Sequence, residues 1–415
     1  MKLRAVKPLL IITVIALGFF NAYATTSNWI SFDQTTWQQL SSNSKTSQLI
    51  RSHLKGPKLH LAQVDRRQLN LLTEVIQQER ERCGGFVLHS KVSNKKSATG
   101  LLEKLNKPTT PQVRKPQVHK RDKYLRKVDA DYTINQQAVV PKWMEQVSTA
   151  RMDKTVLHLS SYKTRYYKAP EGVEAMKWIA QQWGKLTAKR TDTKIELYDH
   201  KDYPQPSVIL TIKGSLDSVI ILGGHGDSIN TDDEGIHSHA PGADDNAAGI
   251  AVLTEILQLI VNNNYRPRHT IQFIAYAAEE VGIQGSYHLA KVYAKRRTNV
   301  IGVIQFDGVN YKGPSYDITL VKDYTSQQQN DFLASLLTTY QPDIKWRYEL
   351  CGYGCSDHAA WNYNGYHASY PVESTAAEQN PYSHTAEDTF DKSGYTTDHA
   401  AIFAKLGVAY LLELD

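Results

Sequence analysis

Histidines and carboxylates recur in short motifs along the second half of the chain. They comprise a His-x-Asp motif, an Asp-Asp pair, a Glu-Glu pair, a single Asp and a late His, namely His225, Asp227, Asp244, Asp245, Glu279, Glu280, Asp307 and His384. Imidazole suits Zn²⁺ as a ligand, and carboxylates can bridge two such ions. If these side chains share one crevice, their negative charges repel strongly unless a dication lies among them. The residue types therefore predict a metal site.

Most of these motifs directly follow apolar runs that are typical of strands. The predicted strands are Val208–Ile212, Val219–Leu222, His269–Tyr276, Val300–Phe306, Tyr316–Lys322 and Ala368–Val372. Apolar residues at helical spacing predict helices at Asn246–Ile260, Gln284–Lys295, Asp331–Tyr340, Ser356–Asn362 and Asp398–Leu412. Strands that alternate with helices predict an α/β fold with a sheet covered on both faces. Ligands bind such sheets beyond the carboxyl ends of the strands, where these motifs lie.

Each motif also has a simpler interpretation when it is taken alone. A Glu-Glu pair is usually a solvated helix face, and Asp244–Asp245 could cap the helix that follows. A His-x-Asp motif is common by chance, although the Asp can orient a metal-bound imidazole. His237 and His239 are expected to be loop residues rather than ligands. The metal-site interpretation is favoured because most of the motifs share the same position at strand ends.

Charge divides the 415-residue chain into two unlike parts. The formal net charge is +6, but residues 1–140 carry +14 and residues 141–415 carry −8. An acidic second part argues against a nucleic-acid partner for the domain that holds the motifs. The 41% hydrophobic and 22% charged residues exclude a fibrous or wholly disordered chain. Three cysteines are too few for a disulfide scaffold.

The first residues have the pattern of a secretory signal peptide. Basic residues precede an apolar run from Leu9 to Phe20, and Ala22-Tyr23-Ala24 offers small residues for cleavage after Ala24. The alternative is an uncleaved membrane anchor, but the run is shorter than the roughly 20 residues that span a bilayer. We therefore expect residues 1–24 to be a signal peptide, and the mature protein to be secreted with no stable membrane anchor.

The next segment, residues 25–138, is predicted to be a propeptide that includes a basic linker. The linker at residues 104–127 holds nine Lys or Arg residues and three prolines, so it is an exposed target for proteolysis. Opposite charge would help the propeptide dock on the acidic domain at 139–415. The alternative is a permanent N-terminal binding domain. Cys83 has no obvious local partner.

Five segments together resemble the M28 family of dizinc aminopeptidases, and most closely the secreted bacterial leucyl aminopeptidases of the Vibrio type. The segments are residues 225–228, 240–249, 275–282, 351–358 and 380–385, in family order. The resemblance runs from about residue 140 to 414, and the front segment resembles the propeptide of those enzymes. It implies a three-layer α/β/α sandwich with a mixed, mostly parallel central sheet. It also implies peptide substrates with a free N-terminus, docking of the chain's own propeptide, and a monomer.

The resemblance assigns roles to matching residues. Asp245 would bridge two zinc ions, with His225 and Asp307 on the first and Glu280 and His384 on the second. Asp227 would hydrogen-bond His225, and Glu279 would be the general base. A disulfide would join Cys351 and Cys355, and the Asp245–Asn246 peptide bond would be cis. Tyr353 would either stabilise the oxyanion or only form the pocket wall.

The pocket for the first residue of the substrate departs from the leucine-selective pattern. Leucine-selective relatives use bulky apolar groups where this chain has Gly308, Tyr370, Val372, Ala376, Gln379 and Ser383. We therefore expect a wider, more polar pocket and a selectivity broader than leucine, with Lys or Arg as candidates. Glu378 is close enough in sequence to attract a cationic side chain.

Three rival functions are less consistent with the sequence. A glutaminyl cyclase of the same architecture would not need the full two-zinc ligand set, which this chain has. A metal-dependent carboxypeptidase would need a cationic clamp, and no such Arg stands in the motifs. A catalytically dead binding module would be expected to have lost ligands or Glu279, and all of them are present.

Overall fold

The computed structural model describes residues 27–42, 44–56, 59–65, 87–89, 94–105, 130–233 and 235–415. The predicted signal peptide, Cys83 and most of the basic linker lie outside these described residues. Among the described helices, none combines the length and the apolar character needed to cross a membrane.

The N-terminal region is a small antiparallel sheet with helices against it. Its elements are β1 (Ser27–Asp33), α1 (Gln34–Ser42), α2 (Ser44–Ser47), β2 (Ile50–Leu54), β3 (Leu59–Asp65), β4 (Val87–His89) and α3 (Lys95–Leu105). The strand order is β2-β3-β1-β4, with β1 and β3 paired over their full length. Alternate strand residues join two apolar clusters, one around Phe32 and Val64 and one around Trp29 and Leu61. No strand was predicted in this region, so this sheet is a feature that the sequence patterns did not indicate.

The region from residue 130 onwards alternates helices and strands. Its first half contains α4 (Val140–Met144), α5 (Thr149–Ser160), α6 (Pro170–Thr187), β5 (Thr193–Tyr198), β6 (Ser207–Ile212), β7 (Val219–His225), a π-helical turn (Ala243–Ala248) and α7 (Gly249–Asn262). Its second half contains β8 (Thr270–Tyr276), α8 (Gln284–Arg296), β9 (Val300–Gln305), β10 (Ile318–Val321), α9 (Gln327–Tyr340), β11 (Trp346–Glu349), α10 (His358–Tyr363), β12 (Ala368–Ser369), β13 (Pro371–Val372), a 3₁₀ turn (Phe390–Ser393) and α11 (Asp398–Leu414).

A six-stranded sheet in the order β12-β9-β7-β8-β6-β5 forms the centre. The strands β12, β9, β7 and β8 are parallel to one another, and β6 is antiparallel to both of its neighbours, β8 and β5. This order confirms the predicted α/β fold with a mixed central sheet.

Apolar residues alternate between the two faces of this sheet. Ile220 and Leu222 belong to the large cluster that also contains residues of α5, α6, α7 and α11. Val219 and Ile221 face the other way, against residues of α8 and α10. Helices therefore cover both faces, and the molecule has three layers from residue 130 onwards.

The parallel strands bring three motifs to one edge. The register pairs His225 of β7 with Tyr276 of β8, and Gly223 with Gln305 of β9. The residues that follow these strands therefore leave the sheet side by side. This edge is where the functional side chains are expected in an open α/β sheet.

A second, three-stranded sheet in the order β11-β10-β13 stands beside this edge. The predicted strand Ala368–Val372 is in fact divided between the two sheets. Ala368 pairs with Val303 of the central sheet, whereas Pro371 pairs with Leu320 of the small one. This division was not predicted, and neither were β5, β11 and the helices α4, α5 and α6.

Candidate metal centre and substrate cleft

Five of the predicted donors meet at the edge of the central sheet. His225 Nε2 lies 3.1 Å from Asp245 Oδ1 and 3.1 Å from Asp307 Oδ1. His384 Nε2 lies 3.0 Å from Asp245 Oδ2 and 3.2 Å from Glu280 Oε2. Asp245 therefore belongs to two donor groups, one on each of its carboxylate oxygens. Within each group the candidate ligand atoms lie within 4.8 Å of one another.

Each donor is placed by a different element. His225 is the last residue of β7, Glu280 lies in the turn after β8, and Asp307 follows β9. Asp245 is in the π-helical turn that precedes α7, and His384 lies in a loop after β13 with a positive φ of 60°. The convergence thus depends on the sheet register and on two loops that approach it from other parts of the chain.

The buried charges of the five donors favour a positive charge among them. All five donors are buried. Although burial opposes a charged imidazole, Asp307 beside His225 and Glu280 beside His384 hold the pKa of each histidine well above its ordinary value. Burial also raises the pKa of Glu280, to about 7. Such a concentration of buried carboxylates is stable only with compensating positive charge.

Glu279 differs from the donors in that its carboxylate has no hydrogen-bond partner among the described residues. Both of its oxygens are buried. Burial raises its pKa well above the ordinary value, and the neighbouring carboxylates of Asp357 and Asp307 add to that shift. An orphaned carboxylate beside two histidines and three carboxylate donors fits a site for divalent metal ions and water. The imidazole and carboxylate donors match zinc chemistry.

Asp227 holds the Glu-Glu turn rather than only the histidine. Its carboxylate accepts hydrogen bonds from the backbone N–H groups of Glu279 at 3.1 Å and Glu280 at 3.2 Å. His225 Nδ1 lies 3.2 Å from the Asp227 carbonyl oxygen and 3.5 Å from its carboxylate. The His225 ring therefore lies closer to the Asp227 backbone carbonyl than to the Asp227 carboxylate.

The helix-cap interpretation of Asp244 and Asp245 is wrong. Asp244 instead accepts hydrogen bonds from the backbone N–H groups of Val309 and Asn310, at 3.2 and 2.8 Å. The Asp245–Asn246 peptide bond is cis.

Asp388 is a site residue that the sequence analysis missed. Its carboxylate accepts hydrogen bonds from the backbone N–H groups of Asp244 at 3.2 Å and Asp245 at 3.0 Å. Asp388 therefore fixes the backbone that carries the shared donor, Asp245. The spacing His-x-x-x-Asp from His384 to Asp388 could have indicated it.

Arg165 is a fully buried cation beneath the same region. It donates hydrogen bonds to the carbonyl oxygens of Gly226, Pro241 and Gly242, which flank the donors. Burial lowers its pKa to about 10, so the guanidinium stays charged at neutral pH. No sequence signal pointed to Arg165, because a single Arg in a loop has no distinguishing pattern.

A cleft of about 710 Å³, including its open mouth, begins at the donors. Every residue expected in the first-residue pocket lines it: Gly308, Tyr353, Tyr370, Val372, Ala376, Gln379 and Ser383. A disulfide joins Cys351 to Cys355, and both cysteines also line the cleft. Tyr370 links the cleft wall to the donors, since its hydroxyl donates a hydrogen bond to the Asp307 carbonyl oxygen at 3.1 Å.

Glu378 is not among the residues that line the cleft. Its carboxylate accepts a hydrogen bond from Ser315 instead. The expected attraction of a cationic side chain to Glu378 therefore has no basis in the cleft. The carboxylates that do line it, apart from Asp245 and Asp307, are Glu349 and Glu373.

Comparison with known proteins places the chain among peptidases. The model for peptidase family M28 matches residues 207–408. A probable aminopeptidase of Saccharomyces cerevisiae is 34% identical over 291 residues, which are 68% of this chain and 77% of the yeast protein. A probable leucine aminopeptidase of Arthroderma benhamiae is 30% identical over 285 residues, 68% of this chain and 77% of the fungal protein.

A solved structure extends the similarity over nearly the whole chain. The LapA aminopeptidase of Legionella pneumophila matches with a TM-score of 0.75 and 27% identity, covering 94% of this chain and 98% of that one. The finer assignment to the Vibrio type stays a prediction, because these relatives are fungal or from Legionella. The chain belongs to peptidase family M28, which confirms the predicted class of enzyme, a peptide hydrolase.

Proposed function

We propose that the protein is a secreted dizinc aminopeptidase that removes the N-terminal residue from peptides. The observation that carries the proposal is the pair of donor groups that share Asp245, with His225 and Asp307 on one side and Glu280 and His384 on the other. The relatives named aminopeptidase support the same activity.

Bound zinc ions would polarise the scissile carbonyl and lower the pKa of an attacking water towards about 7. Glu279 accepts the proton of that water and passes it to the leaving amine, a role that fits its buried and otherwise unpartnered carboxylate. Asp227 keeps Glu279 and Glu280 in place through their backbone N–H groups. The carboxylates around the donors hold the free α-amine of the substrate, which limits cleavage to the first residue. Tyr353 at the cleft wall donates to the oxyanion.

A hydrolysis panel tests this activity. The protein recovered from culture medium, in its secreted form, is assayed on aminoacyl p-nitroanilides and on matched N-acetylated substrates, with and without a chelator. The proposal expects hydrolysis of the free-amine substrates alone and its loss with the chelator. Hydrolysis of the blocked substrates, or activity that survives metal removal, would contradict it.

The proposal includes export and maturation. The apolar start of the chain and the opposite charges of its two parts support a signal peptide and a propeptide that docks on the catalytic domain. N-terminal sequencing of the protein from culture medium tests this part. Mature protein should begin near residue 139, and secreted enzyme that still begins at residue 25 would favour a permanent N-terminal domain.

A further inference from the structure

We infer that Glu349 selects substrates whose first residue is cationic, Lys or Arg. This inference rests on the proposed aminopeptidase function and specifies its substrate class. Its starting point is the charge of the cleft. Four carboxylates line it, from Asp245, Asp307, Glu349 and Glu373, whereas no Lys or Arg stands among the described lining residues.

The small sheet separates Glu349 from Tyr370, the wall residue that contacts the donor cluster. Glu349 of β11 is the register partner of Val321 of β10, and the Val321 N–H donates to the Tyr370 carbonyl oxygen at 3.0 Å. Neighbouring strands lie about 4.8 Å apart, so Glu349 stands two strand spacings, about 10 Å, from Tyr370 across the sheet. Tyr370 contacts Asp307, which belongs to the donor cluster. The first residue of the substrate therefore needs a long side chain to reach Glu349.

Strand alternation turns this carboxylate towards the cleft. Ile318 and Leu320 of β10 pack into the main core, so Thr319 and Val321 face the other way and line the cleft. Glu349 shares the face of its register partner Val321, and it too lines the cleft. The apolar wall between the two ends comes from Val321, Tyr353 and Tyr370, which pack together. Such a wall suits the methylene stem of Lys or Arg.

The contacts of Glu349 hold its carboxylate without neutralising it. One oxygen accepts a hydrogen bond from the backbone N–H of Ala376 at 3.1 Å. No ion pair within the described part of the chain includes Glu349. Arg347, two residues away, places its guanidinium over the ring of Tyr316 instead. The carboxylate is thus fixed, half-buried and open to a cation from the substrate.

The other carboxylate in this part of the cleft is already engaged. Glu373 is buried, and its two oxygens accept backbone hydrogen bonds from Tyr311 at 2.6 Å and Asn380 at 3.3 Å. Thr319 adds a second polar group to the part of the cleft that Glu349 lines. Its hydroxyl is buried and has no hydrogen-bond partner among the described residues, although the residue lines the cleft. A carboxylate with a spare hydroxyl nearby suits an ammonium or guanidinium group.

The test compares lysine with norleucine, which has a similar stem but no charge. The secreted, zinc-loaded protein, its Glu349→Gln variant and the control variant Glu378→Gln are assayed on lysyl and norleucyl p-nitroanilides. We expect wild type to prefer lysine, and Glu349→Gln to lower the lysine-to-norleucine ratio of kcat/KM by about tenfold or more, the usual cost of losing a charge-assisted contact. Glu378→Gln should keep the wild-type ratio. A ratio that Glu349→Gln leaves unchanged, while norleucine is still cleaved, would overturn the inference alone.

Two further results of this experiment also decide between the proposals. Absence of hydrolysis of every substrate by the zinc-loaded wild type would reject the proposed function together with the inference. If Glu349→Gln fails to fold, as judged by circular dichroism, the inference is tested by inhibiting the wild type with lysinamide and norleucinamide. Lysinamide should then inhibit more tightly than norleucinamide, and equal inhibition would overturn the role of Glu349.

Discussion

The two ends of the cleft are built differently. At the metal end, His225, Asp245, Glu280, Asp307 and His384 are buried and are fixed by neighbours such as Asp227 and Asp388. At the pocket end, the wall is a sheet whose strands have four residues or fewer, and Glu349, Val372 and Ala376 are only half-buried. The first arrangement fixes the reacting groups, and the second leaves side chains that can change without disturbing them. We therefore expect changes at the metal end to reduce turnover of all substrates, and changes at the pocket end to alter their ranking.

The sharpest test of the metal end is Glu279→Gln. The variant keeps the size of the side chain but removes the proton acceptor, so kcat should fall by about 100-fold or more on leucine and lysine substrates alike. Zinc content should stay at the wild-type level because Glu279 is not one of the donors. Glu387→Gln, a change at an exposed position in the loop after His384, is the control. Turnover of Glu279→Gln at the wild-type rate would remove Glu279 from its role.

Asp388 tests whether neighbours of the donors set metal affinity. Asp388→Ala removes the acceptor for the N–H groups of Asp244 and Asp245, and it leaves the charge of Arg165 less compensated. Zinc affinity, measured by competition with a chromophoric chelator, should fall by about 10- to 100-fold. Asp391→Asn, at an exposed position nearby, should leave the affinity unchanged. Wild-type affinity in a folded Asp388→Ala chain would show that the carboxylate does not fix Asp245.

The disulfide belongs to the pocket end. Replacing both Cys351 and Cys355 by Ser frees a wall that also contains Tyr353, so KM should rise several-fold while kcat stays within about twofold of wild type. Closure of so short a loop is worth about 2 kcal/mol in the chain-entropy model, so the Tm should also fall. Glu387→Gln, at an exposed position outside the cleft, is again the control. A fall in kcat with an unchanged KM would assign the disulfide to the metal end instead.

His358 gives the smallest expected effect, and the effect depends on pH. The imidazole is buried, stacks on Tyr370, and has Nε2 3.1 Å from the Asp323 carbonyl oxygen. Burial lowers its pKa from 6.5 to about 3, so the folded state holds it neutral. Its contribution to stability is therefore present above about pH 6.5 and is lost progressively as the pH falls towards 3.

The prediction is a loss on the order of 2 kcal/mol in the free energy of unfolding between pH 7 and pH 5, measured with urea. His358→Gln should be less stable at pH 7 but should lose less on acidification. Equal acid sensitivity in the two proteins would show that another group titrates.

The convergence of the donors could be predicted because most of them follow apolar strands in short local motifs. The strands β7, β8 and β9 were visible as β-branched runs, and the parallel arrangement then implied that their ends meet. The loop that carries His384 had no such periodicity, so His384 was included because it follows the last predicted strand, and the family resemblance assigned it to the second zinc ion. Arg165 and Asp388 act through contacts with residues far away in the chain, which local patterns do not reveal.

The pocket end was predictable only in part. The resemblance identified Gly308, Tyr370, Val372, Ala376 and Gln379, all of which line the cleft. It could not identify Glu349, because β11 is a four-residue strand with no clear alternation of apolar residues. Nearness in sequence suggested Glu378 instead, but register across the small sheet decides which carboxylate faces the cleft.

Zinc stoichiometry tests the central claim most directly. The secreted protein is stripped with a chelator and titrated with Zn²⁺, while bound metal is measured by mass spectrometry and activity is followed on a leucyl or lysyl p-nitroanilide. Two zinc ions per wild-type chain are expected, with full activity at the second equivalent, and Asp245→Ala should bind fewer. A wild-type chain that is fully active with no zinc or with only one, or an Asp245→Ala chain that still binds two, would contradict the account.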